Sequence, residues 1–181
     1  MNLLKFHNKI KGYTQNRQPG IEADMEPKPI AELEEYKAAG KLENKVALIT
    51  GGDSGIGRAI AILYAKEGAN VAIGYYDEHQ DAEDTVNRLQ EMGVKAKAYA
   101  HDLKDEKQSQ KLIKDVINDF GSLNILVNNG GVQFPRDHFE DITPQQVKET
   151  FMTNIFGMMF LSQAAVPYLS EGDTIINTTS V

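Results

Sequence analysis

The chain has no cysteine among its 181 residues. That absence excludes a disulfide framework, a thiolate metal site and a cysteine nucleophile, and nothing ties the protein to an oxidising compartment. Long apolar runs are missing too: no segment approaches the roughly 20 residues needed to cross a bilayer, and the start, Met-Asn-Leu-Leu-Lys-Phe-His-Asn-Lys, lacks the apolar core of a signal peptide. The expectation is a cytoplasmic protein with no membrane partner. Positive charge is in deficit, with 19 Lys+Arg against 26 Asp+Glu and a net charge of −7. Such a balance disfavours nonspecific nucleic-acid binding, and the basic residues Lys5, Lys9, Lys11 and Arg17 read as part of a solvated arm. The chain shows no internal repeat, heptad seam or low-complexity tract. With 41% hydrophobic residues it can bury one sizeable core, in a single domain.

Residues 1–44 form a separate element, a polar N-terminal arm containing Pro19, Pro27 and Pro29, with a short helix-like stretch near 30–39. Such a segment cannot make its own core. It is either disordered or laid on the surface of the main domain or of a neighbouring subunit.

The most informative segment is Thr50-Gly51-Gly52-Asp53-Ser54-Gly55-Ile56-Gly57, which joins the apolar run Val46-Ala47-Leu48-Ile49 to an amphipathic stretch beginning at Arg58. It reads as strand, tight glycine turn and helix start. Glycine there admits backbone angles closed to other residues and lets a ligand or packing strand approach without a Cβ in the way. The free N–H groups of the helix start suit the pyrophosphate of a dinucleotide. A glycine triplet taken alone is also compatible with a bare turn before a helix.

Further strands are expected at 71–74, 96–100, 123–127 and 174–177, and helices at 56–67, 79–92, 106–120 and 144–169, the last with Pro144 suited to its first turn. Alternating strands and helices imply an α/β fold, a doubly wound parallel sheet covered on both faces. Ligands in such sheets bind at the carboxyl ends of the strands, where Gly51, Asp102, Asn128 and Ser180 fall.

These segments, together with Asp102-Leu103, Asn128-Asn129-Gly130-Gly131, Asn154 and Asn177-Thr178-Thr179-Ser180, resemble in order and spacing the signatures of the short-chain dehydrogenase/reductase family, over about residues 44–181. The glycine turn and the Gln-Pro-Gly-Ile-Glu segment of the arm are similar to a bacterial subgroup described as general-stress or uncharacterised oxidoreductases. The resemblance implies a Rossmann domain at 45–181, a nicotinamide cofactor and a carbonyl or alcohol substrate. In a full-length form it also implies a homo-oligomer, a tetramer. Gly51, Gly55 and Gly57 would line the pyrophosphate, with Ile56 packing the turn against the cofactor. Asp102, beside Leu103, would accept from the adenine amino group, although an Asp after a strand is equally a cap or turn former. Asn128 and Gly130 would support the adenosine ribose and the central sheet. The family's third residue here is usually Ala, and Gly130 removes one methyl.

Cofactor choice turns on the end of the second strand, where a carboxylate serves NAD and a basic residue serves NADP. Tyr75 and Tyr76 occupy that place, and Ser54 stands where a basic residue is often found in NADP-preferring relatives. Asp53, Asp77 and Glu78 add negative charge that would repel a phosphate. The expectation is NAD, with NADP as the alternative and Asp77 as the ribose contact. Ser180 matches the serine that polarises the substrate oxygen, and Asn154 the asparagine that holds a water of the proton relay. A Ser at a strand end also caps turns, and an Asn in a helix also bonds a neighbouring carbonyl. The family's Tyr-x-x-x-Lys pair is absent before Val181, and Tyr168 has no Lys four residues later. The chain is therefore expected to correspond to the N-terminal two-thirds of such an enzyme, without its last strands, and to lack activity alone. No metal is called for. A non-catalytic dinucleotide-binding module and an epimerase- or dehydratase-like enzyme remain alternatives.

Overall fold

A computed structural model describes residues 20–25, 27–33 and 35–179. Five strands, β1 (Val46–Thr50), β2 (Asn70–Tyr75), β3 (Ala96–Ala100), β4 (Ile125–Asn128) and β5 (Thr174–Asn177), form one parallel sheet in the order β3-β2-β1-β4-β5. Every residue of β1 and β4 is buried, as continuous apolar runs in a sheet covered on both faces require. Side chains alternate across the pleat. Ala47 and Ile49 join Val71 and Ile73 beneath Ala61, Ile62 and Leu89, whereas Val46 and Leu48 join Leu126 beneath Leu112, Val116 and Leu161.

The covering helices are α1 (Gly55–Lys66) and α2 (His79–Glu91) on the first face, and α3 (Glu106–Phe120) and α5 (Gly157–Ala165) on the second. Their ends follow local chemistry. Asp105 caps α3 by accepting from the N–H groups of Lys107 and Gln108 at 2.8 and 3.2 Å, and Gly121 ends it with φ of 85°. Thr143 and Gln146 form a capping box before Pro144 at the start of α4 (Pro144–Phe151).

One expectation is corrected. The helix expected over 144–169 is not uniform: a π-helical turn at Met152–Phe156 separates α4 from α5, and a 3-10 turn follows at Val166–Tyr168. The π turn contains Asn154, whose side chain is engaged with a neighbouring loop described below. Of the two arrangements open for the arm, its described part lies on the domain surface. Glu67, after α1, accepts from the N–H groups of Ala39 and Lys41 at 3.1 and 2.8 Å and from the hydroxyl of Tyr36. Glu32 meets Lys66 of α1 at 2.9 Å and takes a two-point contact from Arg88 of α2 at 2.9 and 3.0 Å.

Candidate functional site

The connections leaving β1, β2, β3 and β4 meet at the carboxyl ends of the strands and enclose a cavity of about 530 Å³. Thr50, the last residue of β1, joins two of them. Its hydroxyl accepts from the N–H groups of Asn129 and Gly130 at 3.0 and 2.9 Å, while the Asn129 side chain donates to the carbonyls of Thr50 and Gly51 at 3.1 and 3.4 Å. Segments far apart in the chain thus form one rigid floor.

The glycine turn stands on this floor. Gly51 and Gly55 have φ of 61° and 51°, values that disfavour any side chain. A Cβ at Gly55 would meet nothing within 4 Å, so the backbone angle and not crowding calls for glycine, and the turn stays bare where it lines the cavity. Gly57 differs: a Cβ there would lie 1.8 Å from the Gly51 carbonyl oxygen. Its missing side chain lets α1 close against the turn. Ser54, in extended conformation, precedes the helix, and Ile56 on the cavity wall is 67% exposed.

On the β2 side the wall is formed by Tyr75, Tyr76, Glu78, His101, Asp102 and Leu103. Asp102 accepts from the Lys104 N–H at 2.9 Å, and its other oxygen lies 3.7 Å from the Lys104 ammonium. Burial pushes the Asp53 carboxyl up, and burial followed by the neighbouring Asp77 raises that of Glu78 to about 7. Burial pushes the His101 imidazole down, and its ring packs so closely on Gly74 that a Cβ there would lie 2.6 Å from Cε1. Burial at this end of the cavity thus disfavours the charged form of all three groups, acidic and basic alike.

On the opposite side stand Val132, Phe134, Glu149, Thr153 and Thr178. Asn154 accepts from the Val132 N–H at 2.8 Å and donates to the Val132 carbonyl at 2.7 Å. Its amide thereby fixes the loop after β4 against the π turn.

Of the residues singled out from sequence, Gly51, Asp53, Ser54, Gly55, Ile56, Tyr76, Asp102, Leu103 and Gly130 lie on the cavity wall. Four stand elsewhere. Gly57 packs beneath the turn. Asp77 is exposed on the loop, while its buried neighbour Glu78 lines the cavity. Asn128 is 1% exposed and donates to Ser162 Oγ at 3.1 Å and Asn177 Oδ1 at 2.8 Å, tying β4 to α5 and β5. Asn154 acts through the Val132 loop, and Ser180 lies outside the described residues. Sequence reasoning passed over His101, Asn129 and Glu149. It also quoted Glu22 only as part of a motif, yet this buried carboxylate bonds the first residue of α1. Asn129 stands inside a quoted motif and His101 adjoins one, whereas nothing in the local sequence signals the destination of Glu22.

Among the described residues no helix is long and apolar enough to cross a membrane. The profile of the short chain dehydrogenase family matches residues 45–181. General stress protein 39 of Bacillus subtilis (strain 168) is 48% identical over 179 residues, a match covering 99% of this chain and 63% of that protein. Glucose and ribitol dehydrogenase of Daucus carota is 42% identical, over 92% of this chain and 60% of that protein. A crystal structure of a short chain dehydrogenase from Burkholderia cenocepacia J2315 in complex with NADP superposes with a TM-score of 0.74 at 37% identity, covering 77% of this chain and 57% of that one. The chain therefore spans less than two thirds of the length of each of these relatives. An extended family match, the parallel sheet and the glycine turn at its strand ends agree: the chain belongs to the short-chain dehydrogenase/reductase family.

Proposed function

We propose that the cavity binds a nicotinamide dinucleotide and that the protein serves as an oxidoreductase acting on a small carbonyl or alcohol compound. One observation carries this reading: the bare turn at Gly51 and Gly55 and the first turn of α1 form the wall of the cavity between β1 and β4, where the chain's excursions to the two sides of the sheet diverge. In doubly wound sheets that is the place for a dinucleotide, with its pyrophosphate at the helix start. The cavity also has the volume of a ligand site, which ranges over roughly 300–1,000 Å³.

The residues present fit the cofactor. The first-turn N–H of Ile56 has no partner within the helix and is available to a phosphate oxygen. Asp102 and Leu103 would receive the adenine, and Glu78, rather than Asp77, would face its ribose. Gly130 keeps the β4 side of the wall low. When bound, the nicotinamide supplies or accepts the hydride. Asn154 holds the Val132 loop, and on motif alone Ser180 is assigned to the substrate oxygen. Glu149 and Thr178 add polar groups at that end.

Cofactor choice has two readings. The carboxyl groups of Asp53 and Glu78 on the cavity wall favour NAD, because in their ionised form they would repel a phosphate on the ribose. The NADP held by the Burkholderia relative favours NADP. Titration with NADH and NADPH, followed by fluorescence, tests both the site and the choice; binding of neither removes the proposal. Self-association is a further part of it. Val147, Phe151, Ile155 and Met159, four residues apart along α4, the π turn and α5, are each about half exposed, as expected of a face that meets another copy. A cytoplasmic setting is consistent with this chemistry.

A further inference from the structure

The Glu22 carboxylate reaches from the N-terminal arm to the start of α1. One oxygen accepts from the Gly55 N–H at 2.5 Å and the other from Arg58 Nη1 at 2.6 Å. Gly55 lines the cavity, and Arg58 lies almost one turn farther along the helix. The other donors of Arg58 are also held: Nε donates to Thr85 Oγ1 at 2.8 Å, and Nη2 lies 3.5 Å from the Asp81 carbonyl. Thr85 Oγ1 donates in turn to the Asp53 carbonyl at 3.0 Å. The ion pair is consequently built into the back of the glycine turn.

Its surroundings make its charge balance matter. The side chains of Glu22 and Arg58 are only 9% and 19% exposed, so water screens them less than a surface pair. Asp53, Glu78 and Asp81 are buried around the same end of the cavity, and Asp81 Oδ2 has no hydrogen-bond partner among the described residues. Lys104 stands on the cavity wall beside Asp102. Arg58 is a cation packed against the turn itself, and Glu22 pairs with it.

Resting on the dinucleotide reading above, we propose that Glu22 is a specificity-determining residue: by pairing with Arg58 it cancels the positive charge packed behind the glycine turn and so weighs against the additional ribose phosphate of NADP. Without the Glu22 charge, Arg58 would favour that phosphate while a ribose hydroxyl would feel little change. The arm thus contributes to the selectivity of a site that lies in the domain.

The test is fluorescence titration of the 181-residue chain with NADH and NADPH. The variants are E22Q, which keeps a neutral acceptor for the Gly55 N–H, R58M and the double variant. A unit of charge this poorly screened should raise the ratio of NADPH to NADH affinity about tenfold in E22Q. The gain should vanish in the double variant, because it arises from Arg58. A ratio unmoved in E22Q, a parallel loss of both affinities with a lowered melting temperature, or a gain that persists without Arg58 would each overturn the proposal while the site stands. If wild type and variants bind neither dinucleotide, the underlying reading falls and the proposal with it.

Discussion

Gly57 lies directly against Gly51: a Cβ on the former would be 1.8 Å from the carbonyl oxygen of the latter and 2.8 Å from the Asn129 amide nitrogen. The contact joins the helix start, the turn and the β4 loop at one point. Gly57→Val must therefore displace backbone, not merely a flexible side-chain end. We expect a destabilisation of about 1–3 kcal/mol and a fall in NADH or NADPH affinity of more than tenfold, measured by urea unfolding and fluorescence titration. A folded Gly57→Val protein with unchanged affinity would show that the turn does not shape the ligand site.

Glu78 should give stability a distinctive pH dependence. Its carboxyl is raised from 4.5 to about 7 in the folded protein, first by burial and then by Asp77. Between those values the folded state holds the proton longer than the unfolded state, so stability falls as pH rises through this window. The effect is absent below the lower value and complete above the upper one. Glu78→Gln should raise the urea midpoint at about pH 8 and leave it nearly unchanged at about pH 4. Asp53, shifted in the same direction by burial, should keep a residual slope in the variant. Equal effects of the substitution at both pH values would contradict the assignment.

The Asn128 side chain connects three elements from a fully buried position, through Ser162 of α5 and Asn177 of β5. Asn128→Ala leaves both acceptors without this donor and opens a small cavity, at a cost of about 2 kcal/mol. Ser162→Ala should cost less, since Asn177 keeps its bond. In a double-mutant cycle by denaturant unfolding, the two substitutions should be non-additive; strict additivity would mean that the bond contributes nothing.

The apolar face that runs along α4, the π turn and α5 predicts association. Phe151→Arg combined with Ile155→Lys should lower the molar mass found by light scattering on a sizing column, with far-ultraviolet dichroism unchanged. These side chains are 54% and 48% exposed, so charge there disturbs no packed core. An unaltered mass would exclude this face as the contact.

Much of the architecture was legible because its signals are local. Apolar runs such as Val46–Ile49 and the 3.6-residue spacing of Leu112, Val116 and Phe120 report burial directly, and β3, α3 and β5 occur at their expected residues. The uniform helix expected over 144–169 was not found. Periodicity cannot show that the Asn154 side chain in the midst of it bonds the Val132 backbone, and a π turn lies at that point.

At the candidate site, residue type alone placed Gly51, Gly55 and Asp102 at the carboxyl ends of strands, because glycine angles and strand-end positions follow from the sequence within a few residues. The side of a loop that a residue faces does not. Of the adjacent carboxylates Asp77 and Glu78, sequence reasoning chose Asp77, yet the turn out of β2 exposes Asp77 and buries Glu78 against the cavity. Gly57 and Asn128 have motif positions in the chain but packing partners in the fold, across α1 and across β4 respectively.

The sequence by itself thus determined the alternation of strands and helices, the glycine turn and the family, since each depends on residues close together in the chain. Only the tertiary structure decided which carboxylates meet on the β2 side of the cavity and that Glu22 pairs with Arg58. Those two residues are 36 apart in sequence, and they meet only because the arm folds back against the turn.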